Sequence, residues 1–128
     1  MTAIIIVTHD ALSDAIIKTS KAIYGTIDNI LAVNFDVNEG LDTLTSKIEN
    51  AYKQLDTEDG ALILVDIFGG TPMNASLFAA TKLQNVKVIT GVNIPMVLEI
   101  LGSRENCSMS ELAEIAKDAA KSGIRVVN

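Results

Sequence analysis

An α/β domain built on a mostly parallel sheet is the fold class that the sequence predicts, on three observations. Strand and helix signals alternate along the whole chain. The strand candidates are short apolar runs without polar alternation, the pattern of strands covered on both faces. The helix candidates between them carry apolar residues at spacings of three and four.

Ala3-Ile4-Ile5-Ile6-Val7-Thr8-His9 reads as a buried first strand rich in β-branched residues. Residues 11–24 read as a helix, with Leu12, Ala15, Ile16, Thr19 and Ile23 near one face and Gly25 as its stop. Residues 29–35 form a second strand. Residues 41–55 give the clearest helix, with Leu41, Leu44, Ile48, Ala51, Tyr52 and Leu55 together on one side. Asp59-Gly60 signals a turn, and residues 61–65 a third strand that ends at Asp66. After Gly69-Gly70, Thr71 is the expected N-cap and Pro72 the first residue of a helix to about Leu83. Val86–Thr90 is the fourth strand. Asn93-Ile94-Pro95 opens a helix to about Leu101, and Ser108-Met109-Ser110-Glu111 matches a capping box for a last helix that Gly123 ends. Ile124–Val127 is expected as a short final strand.

With right-handed crossovers, this succession fits a doubly wound, flavodoxin-like sheet of order 2-1-3-4. Strands 1 and 3 are then neighbours, and His9 and Asp66 face one crevice at their carboxyl ends.

Composition narrows the function. The 128 residues suit one domain, and 48% hydrophobic content supports a real core. The net charge of −6 without a basic cluster argues against nucleic acid as a partner and for a partner with a basic face. No run approaches the roughly 20 apolar residues of a membrane span, and the start shows no signal-peptide pattern. Cys107 is the single cysteine, which excludes an intrachain disulfide and suits a reducing cytoplasm. Its expected role is structural.

His9 is the only histidine, the side chain whose unperturbed pKa lies closest to neutrality. By position alone a structural histidine is the commoner case. Three neighbours change the balance. Asp66 can hold Nδ1–H and leave the Nε2 lone pair free to attack. Gly69 and Gly70 let backbone approach an anion, and Thr71 adds a hydroxyl at a helix N-terminus, where amides and dipole favour phosphoryl oxygens. The chemistry that fits is phosphoryl transfer to histidine, which needs no metal and no cofactor. Phe68 and Met73 flank the glycines as a candidate apolar rim for a partner, or as core. Asn93 and Pro95 are candidate partner contacts, or simply a cap and first-turn pair.

The blocks Ile5-Ile6-Val7-Thr8-His9, Leu64 to Asn74 (Leu-Val-Asp-Ile-Phe-Gly-Gly-Thr-Pro-Met-Asn) and Thr90-Gly91-Val92-Asn93-Ile94-Pro95-Met96 resemble the enzyme IIA domain of the mannose family of the bacterial phosphoenolpyruvate:sugar phosphotransferase system. The resemblance covers nearly the whole chain as one domain, residues 1–128. It implies that His9 is transiently phosphorylated on Nε2 by the histidine-containing phosphocarrier protein (HPr), passes the group to a IIB component, and serves membrane IIC and IID components indirectly. It implies that Asp66 orients His9, that Thr71 lies beside the phosphoryl group, and that the protein is cytoplasmic, with peripheral association to the transporter. It also implies a homodimer in which the last strand, about Ile124–Val127, is antiparallel and exchanged. One residue departs: relatives commonly carry Gly after the histidine, and this chain has Asp10. Its carboxylate either disfavours a phosphorylated neighbour or caps the first helix.

Rival readings are a non-catalytic anion-binding module with His9 as a ligand contact, and a response-regulator receiver phosphorylated on Asp66. The receiver needs an acidic pair after strand 1 and a lysine after a fifth strand, which this chain lacks. The phosphocarrier subunit of dihydroxyacetone kinases is disfavoured by Gly69-Gly70-Thr71-Pro72.

Overall fold

The computed structural model describes residues 1–128. The elements follow in the order β1 (Ala3–His9), α1 (Leu12–Tyr24), β2 (Ile30–Phe35), α2 (Leu41–Gln54), β3 (Ala61–Val65), α3 (Thr71–Lys82), β4 (Val86–Thr90), α4 (Ile94–Ser103) and α5 (Met109–Ser122). The four strands form one sheet of order β2-β1-β3-β4, and every pair is parallel. The predicted fold class and strand order are both present.

Alternation along β1 explains the two cores. Ile4 and Ile6 point to one face and meet Leu62 and Leu64 of β3, Ile16 of α1, Met96, Val97 and Ile100 of α4, and Leu112 and Ala116 of α5. Ile5 and Val7 point to the other face, with Val33, Ile63 and Val65, and meet Leu44 and Ile48 of α2 and Ala75 and Ala79 of α3. Both faces are covered, which is why the central strands β1 and β3 read as nearly unbroken apolar runs. Ile4, Ile5, Ile6, Leu62, Ile63 and Leu64 are fully buried. Each contributes about 1.5–3 kcal/mol relative to exposure.

The helix ends differ in one respect from the sequence expectation and agree in two. Gly70, not Thr71, is the N-cap of α3, so Thr71 and Pro72 are its first two residues. The extended backbone of Gly70 (φ −83°, ψ 174°) carries the chain from the loop into the helix, and a threonine hydroxyl one residue later is past the capping position. Asn93 caps α4 by accepting from the Met96 amide at 2.9 Å, and Ser108 and Glu111 form the capping box of α5.

Ile124–Val127 forms no strand in this chain. The segment has no ladder partner, and Ile124, Val126 and Val127 are exposed. A fifth strand needs an edge to pair with. The chain passes the end of α5 without turning back to the edge of its own sheet, and the outer edge of β4 is unpaired.

At the amino-terminal end of the sheet one buried cation ties together two backbone segments through three carbonyls. The Arg104 guanidinium, at the end of α4, donates to the carbonyls of Thr2, Asp28 and Asn29. Its side chain is 4% exposed. Arg104→Ala leaves those acceptors without their donor and opens a void, so it should cost about 2–4 kcal/mol. Urea unfolding checks this; a midpoint equal to wild type refutes it.

Candidate functional site

The register of the sheet builds the site. β1 pairs with β3 up to Val7↔Val65, so His9 lies two residues past the last pair and Asp66 one. The edge they reach is the carboxyl end of adjacent parallel strands. There the Asp66 Oδ2 accepts from the His9 ring at Nδ1 (2.7 Å) and from the His9 amide (2.8 Å). The Asp66 Oδ1 accepts from the Ile67 amide at 2.9 Å. Burial raises the pKa of the Asp66 carboxyl, but the His9 amide, the His9 ring and the Ile67 amide together outweigh it and hold it below its ordinary value. An ionised Asp66 makes Nδ1 the protonated nitrogen of neutral His9 and leaves the lone pair on Nε2. Nε2 has no intramolecular partner.

The ring is held on two further sides. Phe35, the register partner of His9 on β2, packs edge-on with ring centroids 5.6 Å apart. Gly70 packs so closely that a Cβ there would lie 3.2 Å from His9 Cε1 and 3.3 Å from Ile67 Cγ1. A side chain there would require the ring or Ile67 to give way by a few tenths of an ångström. Gly69 has φ +86°, the left-handed region that glycine adopts without strain. The structure therefore brings His9, Asp66 and Gly70 together, with Gly69 and Thr71 on either side of Gly70.

The first turn of α3 leaves donors free. The amides of Gly70, Thr71 and Met73 have no intramolecular acceptor, and Pro72 has no N–H to offer. The Thr71 hydroxyl also makes no intramolecular hydrogen bond. This is the local chemistry of an anion site at a helix N-terminus, set beside an exposed imidazole nitrogen.

The four candidate contact residues separate. Phe68 is 83% exposed and Ile67 beside it 56%, so the loop after β3 presents apolar surface next to His9. Met73 is partly buried against the α2–α3 core, and its Sδ accepts from the Gly69 amide at 3.3 Å, which steadies the glycine loop. Asn93, besides capping α4, donates to the Ala120 carbonyl at 3.1 Å. Pro95 lies against the end of α5 near Gly123. Both of these join α4 to α5.

Residues the sequence reading passed over complete the surroundings. A depression of about 410 Å³ beside the ring is lined by His9, Asp10, Asn34, Phe35, Asp36, Val37 and Lys47. Phe35 was accessible from the order 2-1-3-4, which puts the end of strand 2 beside the end of strand 1. Lys47 had no local signal, because it reaches the site from the middle of α2. Asp10 does not cap α1: the N-cap is Ala11, without a side-chain bond, and the Ser13 amide is taken by Thr8 Oγ1 at 2.7 Å. The backbone of Asp10 is left-handed (φ 52°).

Asp66 ties stability to pH. Its pKa is lower folded than unfolded, so the stability it contributes is complete above its ordinary value of about 4 and is lost as pH falls through the lower folded value. Wild type should therefore exceed Asp66→Asn in unfolding free energy at neutral pH, and the gap should close in acid. Denaturant unfolding of both proteins from pH 7 to pH 2 measures it; a gap constant with pH refutes the ionised pairing.

Comparison with known proteins agrees with the sheet order and with the sequence blocks. The EIIA-man profile, described as the PTS system fructose IIA component, matches residues 3–117. The fructose-specific EIIA component of Bacillus subtilis (strain 168) is 36% identical over 126 residues, which are 98% of this chain and 86% of that protein. The mannose-specific EIIAB component of Escherichia coli (strain K12) is 34% identical over 126 residues, and the chain spans only 39% of its length. The crystal structure of the phosphotransferase system component EIIA from Streptococcus agalactiae superposes with a TM-score of 0.89 at 26% identity, covering 98% of this chain and 97% of that one. With the profile spanning nearly all its elements and such identity along almost its full length, the chain belongs to the EIIA-man family of phosphotransferase system IIA components.

Proposed function

We propose that this protein carries a phosphoryl group on His9 Nε2, taking it from phosphorylated HPr and giving it to a IIB component that couples it to sugar uptake. Membership in the family supports the general role, a phosphoryl carrier of a sugar phosphotransferase system. The observation that carries the residue-level reading is the 2.7 Å contact of His9 Nδ1 with Asp66, which leaves Nε2 as the free nitrogen.

The transfer follows from that geometry. The Nε2 lone pair attacks the phosphorus of the donor's phosphohistidine, and the donor nitrogen leaves with its bonding electrons. The Nδ1 proton stays on the ring, where Asp66 stabilises the positive charge that develops. The free amides of Gly70, Thr71 and Met73 and the Thr71 hydroxyl then hold the phosphoryl oxygens. Transfer to the acceptor is the same step in reverse with a different histidine. A receiver phosphorylated on Asp66 fits less well, because the Asp66 side chain is 12% exposed and both its oxygens are already engaged.

HPr would dock over the exposed Ile67 and Phe68 and the Val37 rim, and the IIC and IID components would be served only through IIB. No helix is long and apolar enough to cross a membrane, which fits a carrier working in the cytoplasm and meeting the transporter from outside the bilayer. The exposed Ile124-Arg125-Val126-Val127 segment and the unpaired edge of β4 favour a homodimer in which each tail adds an antiparallel strand to the other sheet.

Two measurements test these statements. Incubation with phosphoenolpyruvate, enzyme I and HPr should add one phosphoryl mass to the intact protein and none to His9→Ala; an adduct that survives His9→Ala overturns the assignment. Sedimentation should give a dimer for the full chain and a folded monomer after deletion of residues 124–128. A full chain that sediments as a monomer at about 10 μM, a concentration any stable dimer survives, overturns the exchange.

A further inference from the structure

We propose that Asp10 sets the transfer potential of His9: its carboxylate disfavours the phosphorylated ring and so drives the phosphoryl group on to the acceptor. This rests on the proposed phosphorylation of His9. Three observations carry it. First, the backbone fixes the residue at the site. Asp10 follows His9 directly, has φ 52°, and donates its amide to the Phe35 carbonyl at 2.9 Å. Glycine is the residue that conformation favours, and here a charge occupies it. Second, the carboxylate has no structural employment. It makes no intramolecular hydrogen bond or ion pair, and the first free amide of α1 that a cap would take goes to Thr8. Third, nothing in the shared depression neutralises it. Lys47, the one cation there, donates to Glu39 at 2.9 Å and to the Asn34 carbonyl. Asp36, on the same rim, adds a second carboxylate.

The electrostatics follow from the balance of the transfer. The donor's N–P bond breaks with its electrons remaining on the donor nitrogen, the Nε2–P bond forms, and the Nδ1 proton stays with the His9–Asp66 pair. The phosphoryl oxygens therefore bring new negative charge to a ring that shares its surface depression with Asp10. Repulsion raises the free energy of the phosphorylated form and leaves the unphosphorylated form untouched. The consequence lies in the equilibrium with HPr rather than in the ability to accept the group.

Asp10→Asn removes the charge and keeps a residue tolerant of the left-handed region; Asp10→Gly removes charge and side chain. Each full-length protein is mixed with phosphorylated HPr, and both phosphorylated fractions are read at equilibrium by intact mass. Asn and Gly should each raise the equilibrium constant toward phosphorylated His9 by about three- to tenfold at low salt. The difference from wild type should shrink toward unity at about 0.5 M salt, where exposed charges are screened. A wild type that is phosphorylated, with Asp10→Asn unchanged or shifted the other way, overturns the role of Asp10 alone. A shift that persists undiminished in high salt also overturns it, since charge is then not the cause. A wild type that takes no phosphoryl group from HPr overturns the carrier reading and this inference with it.

Discussion

The pairing of β1 with β3 is the constraint from which the site follows. The two strands are 57 residues apart in the chain at His9 and Asp66, and only their parallel register brings the imidazole and the carboxylate to 2.7 Å. The same pairing divides the core. Residues of alternating parity on these central strands feed the α1–α4–α5 layer on one face and the α2–α3 layer on the other. Because all of β3 and β1 up to Thr8 are buried, their carboxyl ends are held by packing rather than by the loops that leave them. Functional groups on such ends inherit the rigidity of the sheet.

The site combines fixed and open parts. On the fixed side, Asp66 Oδ2 accepts from both the ring and the amide of His9, so one carboxylate oxygen sets the ring's position and its tautomer. Phe35 and Gly70 close two more directions. On the open side, Nε2 and the first amides of α3 have no partners in the chain. That division suits the proposed carrier role: the ring is part-exposed and its Nε2 unpartnered, while Asp66, Phe35 and Gly70 hold it in place.

Asp10 shows how backbone and charge meet at one position. Its left-handed conformation turns the chain from β1 into α1, and Thr8 takes the capping task from within the strand. Asp10 lines the depression that it shares with His9. Met73 and Asn93 illustrate the opposite outcome. Both are near the site in sequence terms, yet one supports the glycine loop through its sulfur and the other locks α4 to α5.

Much of this was legible in the sequence, because it depends on local pattern. Unbroken β-branched runs, amphipathic helices and glycine stops are written residue by residue, and right-handed crossovers then leave few strand orders. His9 and Asp66 could be placed together on that basis. The sequence also carried the caps of α4 and α5, whose partners lie three residues away. The tertiary structure decided what depends on distant contacts. Gly70 rather than Thr71 caps α3, and a ring 61 residues earlier in the chain packs closely against that glycine. Lys47 and Phe35 join the site through packing and strand pairing, and Asp10 lost its capping role to Thr8. Ile124–Val127 has strand character by composition and no strand in the single chain, because a strand is made by its neighbour and this segment has none within its own sheet.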